Sequence, residues 1–193
     1  MEINVDERSV YIATGNRDFD PALATVVFIH GAGQDHTVWV LPTRYFARHG
    51  RNVLAVDLPG HGRSAGLPLR SIEDMASWIV SVLSRVGLHE AAIVGHSMGS
   101  LVALETGATY ADRVRTVAMV GTAVPMPVSD KLLSSAEAND HAALEMLALW
   151  GHSTSAHLGG SPTPGMWLLG SGLRLLERSA PGVVHADLNA CHQ

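Results

Sequence analysis

The chain has 193 residues, a formal net charge of -5, 47% hydrophobic and 16% charged residues, and one cysteine, Cys191. That balance describes one globular domain with a sizeable core; it excludes an internal disulfide, and the absence of long basic runs argues against nucleic acid as a partner. Met1 to Arg8 is charged where a secretory leader would be apolar, and no apolar run reaches bilayer-spanning length, so a cytoplasmic protein with no membrane partner is expected.

Ser9 to Thr14 alternates through Val10, Tyr11 and Ile12 and reads as an early strand. Asp6 to Arg8 before it reads as a solvated charge cluster. Thr25-Val26-Val27-Phe28-Ile29 is a continuous β-branched and aromatic run, as expected of a strand buried on both faces of a parallel sheet. It ends in His30-Gly31-Ala32-Gly33. Thr37 to Arg48 predicts a helix capped by Asp35 or Thr37 and stopped by Gly50. Asn52 to Val56 is the next buried strand. Ser71 with Asp74 resembles a capping box, and Ile72, Met75, Ala76, Ile79, Leu83 and Val86 follow helical spacing up to Gly87. Val114 to Val120 is a further strand.

The stretch Ala91 to Ser100 carries the chemistry. A strand-length apolar run passes through Gly95-His96-Ser97-Met98-Gly99 into a helical segment. Strand, Gly-x-Ser-x-Gly turn and helix, in that order, place a serine hydroxyl at the apex of a sharp turn. Glycines without a Cβ let strand and helix approach closely there. The helix start aims free N–H groups at the same spot, the Met98 N–H among them. Strands alternating with helices imply a mostly parallel α/β sheet with flanking helices, and its loops place ligands at the carboxyl ends of the strands.

After about Pro125 the rhythm turns helical: Ser129 to Ala138, His141 to Trp150, Gly165 to Arg178 and Val183 to Cys191. Ser153 to Pro164 reads as a connector. Trp150, Trp167, Met146 and Met166 read as the core of this helical part.

Three motifs, Phe28-Ile29-His30-Gly31-Ala32-Gly33, Asp57-Leu58-Pro59-Gly60-His61-Gly62-Arg63-Ser64 and Gly95-His96-Ser97-Met98-Gly99-Ser100, resemble the α/β-hydrolase superfamily in order and spacing. The resemblance covers roughly residues 3–125. It implies a partial hydrolase core over 1–125, truncated after the sixth strand, and a helical cap or lid over 126–193. It further implies that Ser97 is the catalytic nucleophile and that the backbone N–H groups of Ala32 and Met98 form the oxyanion hole. The expected activity is that of a carboxylesterase-like serine hydrolase on a small-molecule ester, with no cofactor and no metal.

In this superfamily the triad runs Ser, acid, His, with the acid and His after later strands. Only the tract read as cap follows here, so the usual acid and His are expected to be absent and activity weakened. A local substitute would come from Asp130, His152, His157, His185 or His192. His30 reads as a structural orienter of its loop, Asp57 and Arg63 as loop-holding groups, and His96 as pointing away from substrate. Thr116 to Val120 would form an exposed apolar edge, which predicts a homodimer through that edge. The alternative from another class is an inactive hydrolase fold that binds a small apolar ligand.

Overall fold

The computed structural model describes residues 1–160 and 165–193, so part of the expected connector lies outside the described residues. Six strands form one sheet in the order β1-β2-β4-β3-β5-β6: Glu2–Val5, Arg8–Ala13, Thr25–Ile29, Asn52–Val56, Ala91–His96 and Val114–Val120 for β1 to β6. β1 with β2 and β2 with β4 are antiparallel; β4, β3, β5 and β6 run parallel. Every residue of β3 and of β4 is buried, as continuous apolar runs in the middle of a covered sheet require.

The strand β1 is an addition to the sequence reading. Asp6 and Glu7 both take positive φ, 49° and 63°, and close a two-residue hairpin onto β2. That is the geometry of a primed turn, reached here without the Asn-Gly or Asp-Gly pair that normally signals it.

Helix α1 (Val40–Arg48) is preceded by a 3-10 turn, His36–Trp39, capped by Asp35, whose side chain accepts from Thr37 N. Pro42 explains the split. It has no N–H to return to the preceding turn, so the α-helical register starts where Pro42 falls in the first turn. Helix α2 (Ile72–Arg85) begins at Ser71, whose side chain accepts from Asp74 N. Helix α3 is Met98–Thr109.

The two faces of the sheet pack differently. Val26, Phe28, Val53 and Ala55 meet Trp39, Phe46 and Ala47 on the α1 side. Val27, Ile29, Leu54, Val56 and Ile93 meet Met75, Ile79, Val82, Leu83, Val102 and Ala103 of α2 and α3 on the other. Alternate residues of each strand feed alternate cores.

Beyond β6 come α4 (Asp130–Glu137), α5 (His141–Trp150), α6 (Thr154–His157), α7 (Leu168–Leu176) and α8 (Val183–His192). The short α6 lies inside the stretch read as a connector. Leu132, Ala136, Ala143, Val184 and Leu188 form a separate apolar cluster among these helices. The large aromatics do not: Trp150 is 58% and Trp167 69% exposed, and Met166 is also exposed. Trp150 ends α5 and Trp167 precedes α7, so both sit at helix ends rather than on the packed stripe. α8 closes back onto the sheet domain, with Ala190 and Cys191 in the main core. β6 is an outermost strand of the sheet, with Met119 and Val120 about half exposed.

Two substitutions check this packing. Ser71→Ala removes one helix cap and should cost ~1 kcal/mol, about 2–4 °C in Tm, by calorimetry. Ile79→Ala empties a fully buried site and should cost about 2–5 kcal/mol in urea denaturation.

Candidate active site

β5 ends at His96 and α3 begins at Met98, leaving Ser97 alone between them at φ 52°, ψ -121°. A residue with a Cβ adopts that backbone only where its surroundings enforce it. The enforcement is visible in the flanking glycines. A Cβ on Gly95 would lie 1.8 Å from Gly99 O, and one on Gly99 would lie 2.4 Å from Ile29 O. Both obstacles are backbone, so neither can swing aside. Ser97 N donates to Val120 O at 2.9 Å, and Ser97 O accepts from Ser100 N at 2.8 Å. The backbone of Ser97 is thus tied on both sides.

The turn after β3 lies against the serine. A Cβ on Gly31 would come 3.2 Å from Ser97 Cβ. Gln34 N donates to Gly31 O at 3.2 Å, and Gly31 N donates to Gln34 Oε1 at 3.1 Å, which closes a tight turn with Gly33 at φ +65°. Hydrogen bonds among the described residues leave the N–H groups of Ala32 and Met98 without an acceptor.

His30 is fully buried and fixes this turn from behind. Leu58 N donates to His30 Nε2 at 3.2 Å, and His30 Nδ1 donates to Gly31 O at 2.9 Å. Burial, with the neighbouring His61, pushes its pKa down to about 4, so it stays neutral and keeps one accepting nitrogen. Asp57 holds the loop after β4. Its carboxylate accepts from His36 N at 2.7 Å, from Arg63 N at 2.9 Å and from His36 Nδ1 at 2.8 Å. Burial opposes its charge, but the His36 and Arg63 hydrogen bonds outweigh burial and hold the carboxyl below its ordinary range. Gly62, at φ +50°, leaves the room: a Cβ there would meet Asp57 Oδ2 at 2.4 Å. Arg63 contributes its backbone to this loop, while its guanidinium pairs with Glu2 and lies 3.8 Å from the Tyr11 ring centroid.

Ser97 opens into a cleft of about 450 Å³ between the sheet and the helical region. Met126, Val128, Leu147, Trp150, Leu176 and Leu188 give it an apolar wall, with Gly31, Ala32 and Gln34 on the sheet side. His96 also lines this cleft, contrary to the expectation that it points away. Its Nδ1 lies 3.3 Å from Gln34 Oε1, and burial together with His152 lowers its pKa. Cys191 borders the cleft as well, its thiol pushed up to about 12 by burial and by Asp187, so it remains un-ionised.

The five candidate substitutes for the usual acid and base separate clearly. His152 lines the cleft, with Nδ1 donating to Ala148 O at 2.7 Å and Nε2 left as the accepting nitrogen. His157 instead donates to Leu149 O, and His192 Nδ1 accepts from Val128 N. Asp130 is exposed in the first turn of α4, and neither it nor His185 lines the cleft. One acidic cluster has ligand-like spacing: Asp35, His36 and Asp57, with atoms within 4.8 Å of one another. Its atoms are engaged in the hydrogen bonds above, and Arg178 donates to Asp35 Oδ2 at 2.7 Å, which opposes a cation there.

Sequence reading missed one buried acid. Asp187 of α8 is fully buried, and its Oδ2 accepts from both Gly33 N and His61 Nε2 at 2.8 Å. His61 lies 126 positions away in the chain, and no local pattern links the two.

No helix among the described residues is long and apolar enough to cross a membrane. Comparison with known proteins gives relatives of several named activities, hydrolases, a lipase and an acetyltransferase component among them. A curated (E)-2-((N-methylformamido)methylene)succinate hydrolase of Acinetobacter baylyi is 32% identical over 96 residues, covering 49% of this chain and 36% of that protein. An sn-1-specific diacylglycerol lipase of Mus musculus is 33% identical over 118 residues, covering 61% of this chain and 38% of that one. The chain therefore spans less than two fifths of either relative. The crystal structure of the enol-lactonase from Burkholderia xenovorans LB400 superposes with a TM-score of 0.82 at 20% identity, over all of this chain and 73% of that one. A thermophilic esterase superposes with a TM-score of 0.75 at 22% identity, over all of this chain and 67% of its own. At such identities these likenesses speak for the fold. The family model described as alpha/beta hydrolase fold matches residues 24–158, well over half the chain, and the chain belongs to that family.

Proposed function

We propose that this chain is a serine hydrolase acting on carboxylic esters, with Ser97 as nucleophile. The observation that carries the reading is the enforced backbone of Ser97, which stands alone between β5 and α3 and borders an apolar cleft. In the reaction Ser97 Oγ attacks the ester carbonyl, and negative charge grows on the carbonyl oxygen. The Ala32 and Met98 N–H groups, without another acceptor among the described residues, receive that charge. Fixed donors aimed at a developing oxyanion need no reorganisation during the step. The start of α3 adds its positive dipole end. Hydrolase and lipase relatives support chemistry at an acyl carbon.

A base must take the Ser97 proton. His152 lines the cleft, and its Nε2 has no hydrogen-bond partner among the described residues. No carboxylate orients it among the described hydrogen bonds, so turnover is expected to be slow. In serine proteases stripped of their triad, the oxyanion hole and binding alone still give ~10³ to 10⁴-fold over water. Among the described residues no Lys, Arg, Asp or Glu lines the cleft, so the acyl group it favours is uncharged and apolar. The same apolar wall supports a second reading, binding of a small apolar ligand without turnover, which leaves Ser97 chemically inert.

A fluorophosphonate probe separates the two. The wild-type chain should take up one probe at Ser97, read by intact mass and peptide mapping, and Ser97→Ala should take up none. A wild type that stays unmodified would remove the esterase reading in favour of binding alone. For substrate class, p-nitrophenyl butyrate should exceed the p-nitrophenyl monoester of succinate by at least ~10-fold in kcat/KM, since a carboxylate in this cleft finds no cation. Equal rates on the two esters would contradict an apolar acyl site.

A further inference from the structure

We propose that Asp187 is a positioning residue for the Ser97 site: its carboxylate ties the Gly31–Gln34 turn to His61 and so fixes the direction of the Ala32 N–H. The functional half of this inference rests on the esterase reading above; the structural half does not.

The geometry is specific. Asp187 arrives on α8 and is fully buried under the turn. One oxygen, Oδ2, takes both Gly33 N–H and His61 Nε2–H, each at 2.8 Å. The other nitrogen of His61, Nδ1, donates to Pro59 O at 3.0 Å. Both ring nitrogens therefore face oxygen atoms, an arrangement that favours a hydrogen on each, the imidazolium form. Burial works against that charge, but the Asp187 carboxylate and its hydrogen bond outweigh burial and hold the His61 pKa above its ordinary value.

A second observation points the same way. Gly33 sits at φ +65°, and a Cβ there would lie 2.7 Å from Val184 Cγ2 and 3.2 Å from Leu176 Cδ2. The helical region thus presses directly on the turn, and Asp187 supplies the hydrogen bond at the point of pressure. Gly33 N–H points into the protein to Asp187, while the adjacent Ala32 N–H stays free for substrate. Without the carboxylate, Gly33 N–H becomes a buried donor with no partner, and the turn gains a reason to rotate.

Stability alone is a poor account of such a pair, because a well-packed apolar replacement commonly does as well as a buried ion pair. The surroundings protect the arrangement. His30, with its ring centroid 4.7 Å from that of His61, stays neutral, and so does the thiol of Cys191; Asp57 adds a favourable negative charge at longer range. Asp187 Oδ1 is buried without a partner among the described residues. An asparagine can therefore keep its oxygen on the Gly33 N–H and place its amide at the vacant position, which removes the charge but retains the bond to the turn.

The test compares Asp187→Ala and Asp187→Asn with wild type in the full chain. In Asp187→Ala, exchange of the Gly33 amide hydrogen should accelerate at least ~10-fold, and kcat on p-nitrophenyl butyrate should fall ~10 to 100-fold with KM within about twofold, a fraction of what losing an oxyanion donor outright costs. Asp187→Asn should restore most of kcat and the Gly33 protection, while the His61 titration followed by NMR drops below its wild-type midpoint. The pH dependence has a definite sign. A raised folded pKa contributes stability that is full below the unfolded histidine value, about 6.5, and is lost as pH rises through the folded pKa. The wild-type advantage over Asp187→Asn in urea should shrink in that direction. Unchanged Gly33 exchange in Asp187→Ala, or an ordinary His61 titration in wild type, overturns the clamp. Should Asp187→Ala fail to fold, Asp187→Asn and the wild-type His61 titration decide alone. Unchanged kcat in a folded Asp187→Ala with lost Gly33 protection overturns the positioning role. A wild type inert to ester and probe would instead defeat the esterase reading, while the exchange and titration results still judge the clamp.

Discussion

The structure depends on one steric constraint, the contact between the end of β5, the start of α3 and the end of β3. Gly95 approaches the Gly99 carbonyl, and Gly99 approaches Ile29 and His30, so closely that no side chain fits between them. That closeness forces Ser97 into a backbone conformation costing about 1–3 kcal/mol. The surrounding sheet can sustain it because β3 and β4 are buried throughout and α3 is seated on the main core by Met98, Val102 and Ala103. Local strain and global burial are two sides of one arrangement.

From that contact the three parallel strands β4, β3 and β5 deliver their loops to one rim. The loops after β3 and β4 are tied by buried polar groups as well as by packing. His30 takes the Leu58 amide and gives its own proton to Gly31. Asp57 gathers His36 and Arg63, and Asp187 gathers Gly33 and His61. Hydrogen-bonded polar groups in a low-dielectric setting fix direction more sharply than apolar contacts do. Amide direction is what the proposed oxyanion site requires. Polar contacts also couple the helical region to the rim, since α8 brings Asp187 and Arg178 brings a bond to Asp35.

The sequence was most legible where one residue type has one physical use. Unbroken β-branched runs marked β3 and β4, the Ser71 cap marked the start of α2, and the spacing of glycines around Ser97 marked the elbow. His30 and Asp57 were read as loop-holding groups, and they are. Legibility failed where position in three dimensions overrides local pattern. Asp6 and Glu7 close a hairpin with none of the residues that usually do so. Trp150 and Trp167 look like core and lie exposed at helix ends. His96 was expected to face away and borders the cleft. Asp187 is an ordinary-looking acid on a short helix, and only its partners, distant in sequence, reveal it.

The proposal at the centre of this account is that Ser97 Oγ and the Ala32 and Met98 amides converge on one reacting atom. The structure of the chain with a small arylboronic acid tests it most directly. The account predicts boron bonded to Ser97 Oγ, with one boronate oxygen about 2.7–3.1 Å from both Ala32 N and Met98 N. Boron bound elsewhere, or on Ser97 with its oxygens turned away from those two amides, would contradict it.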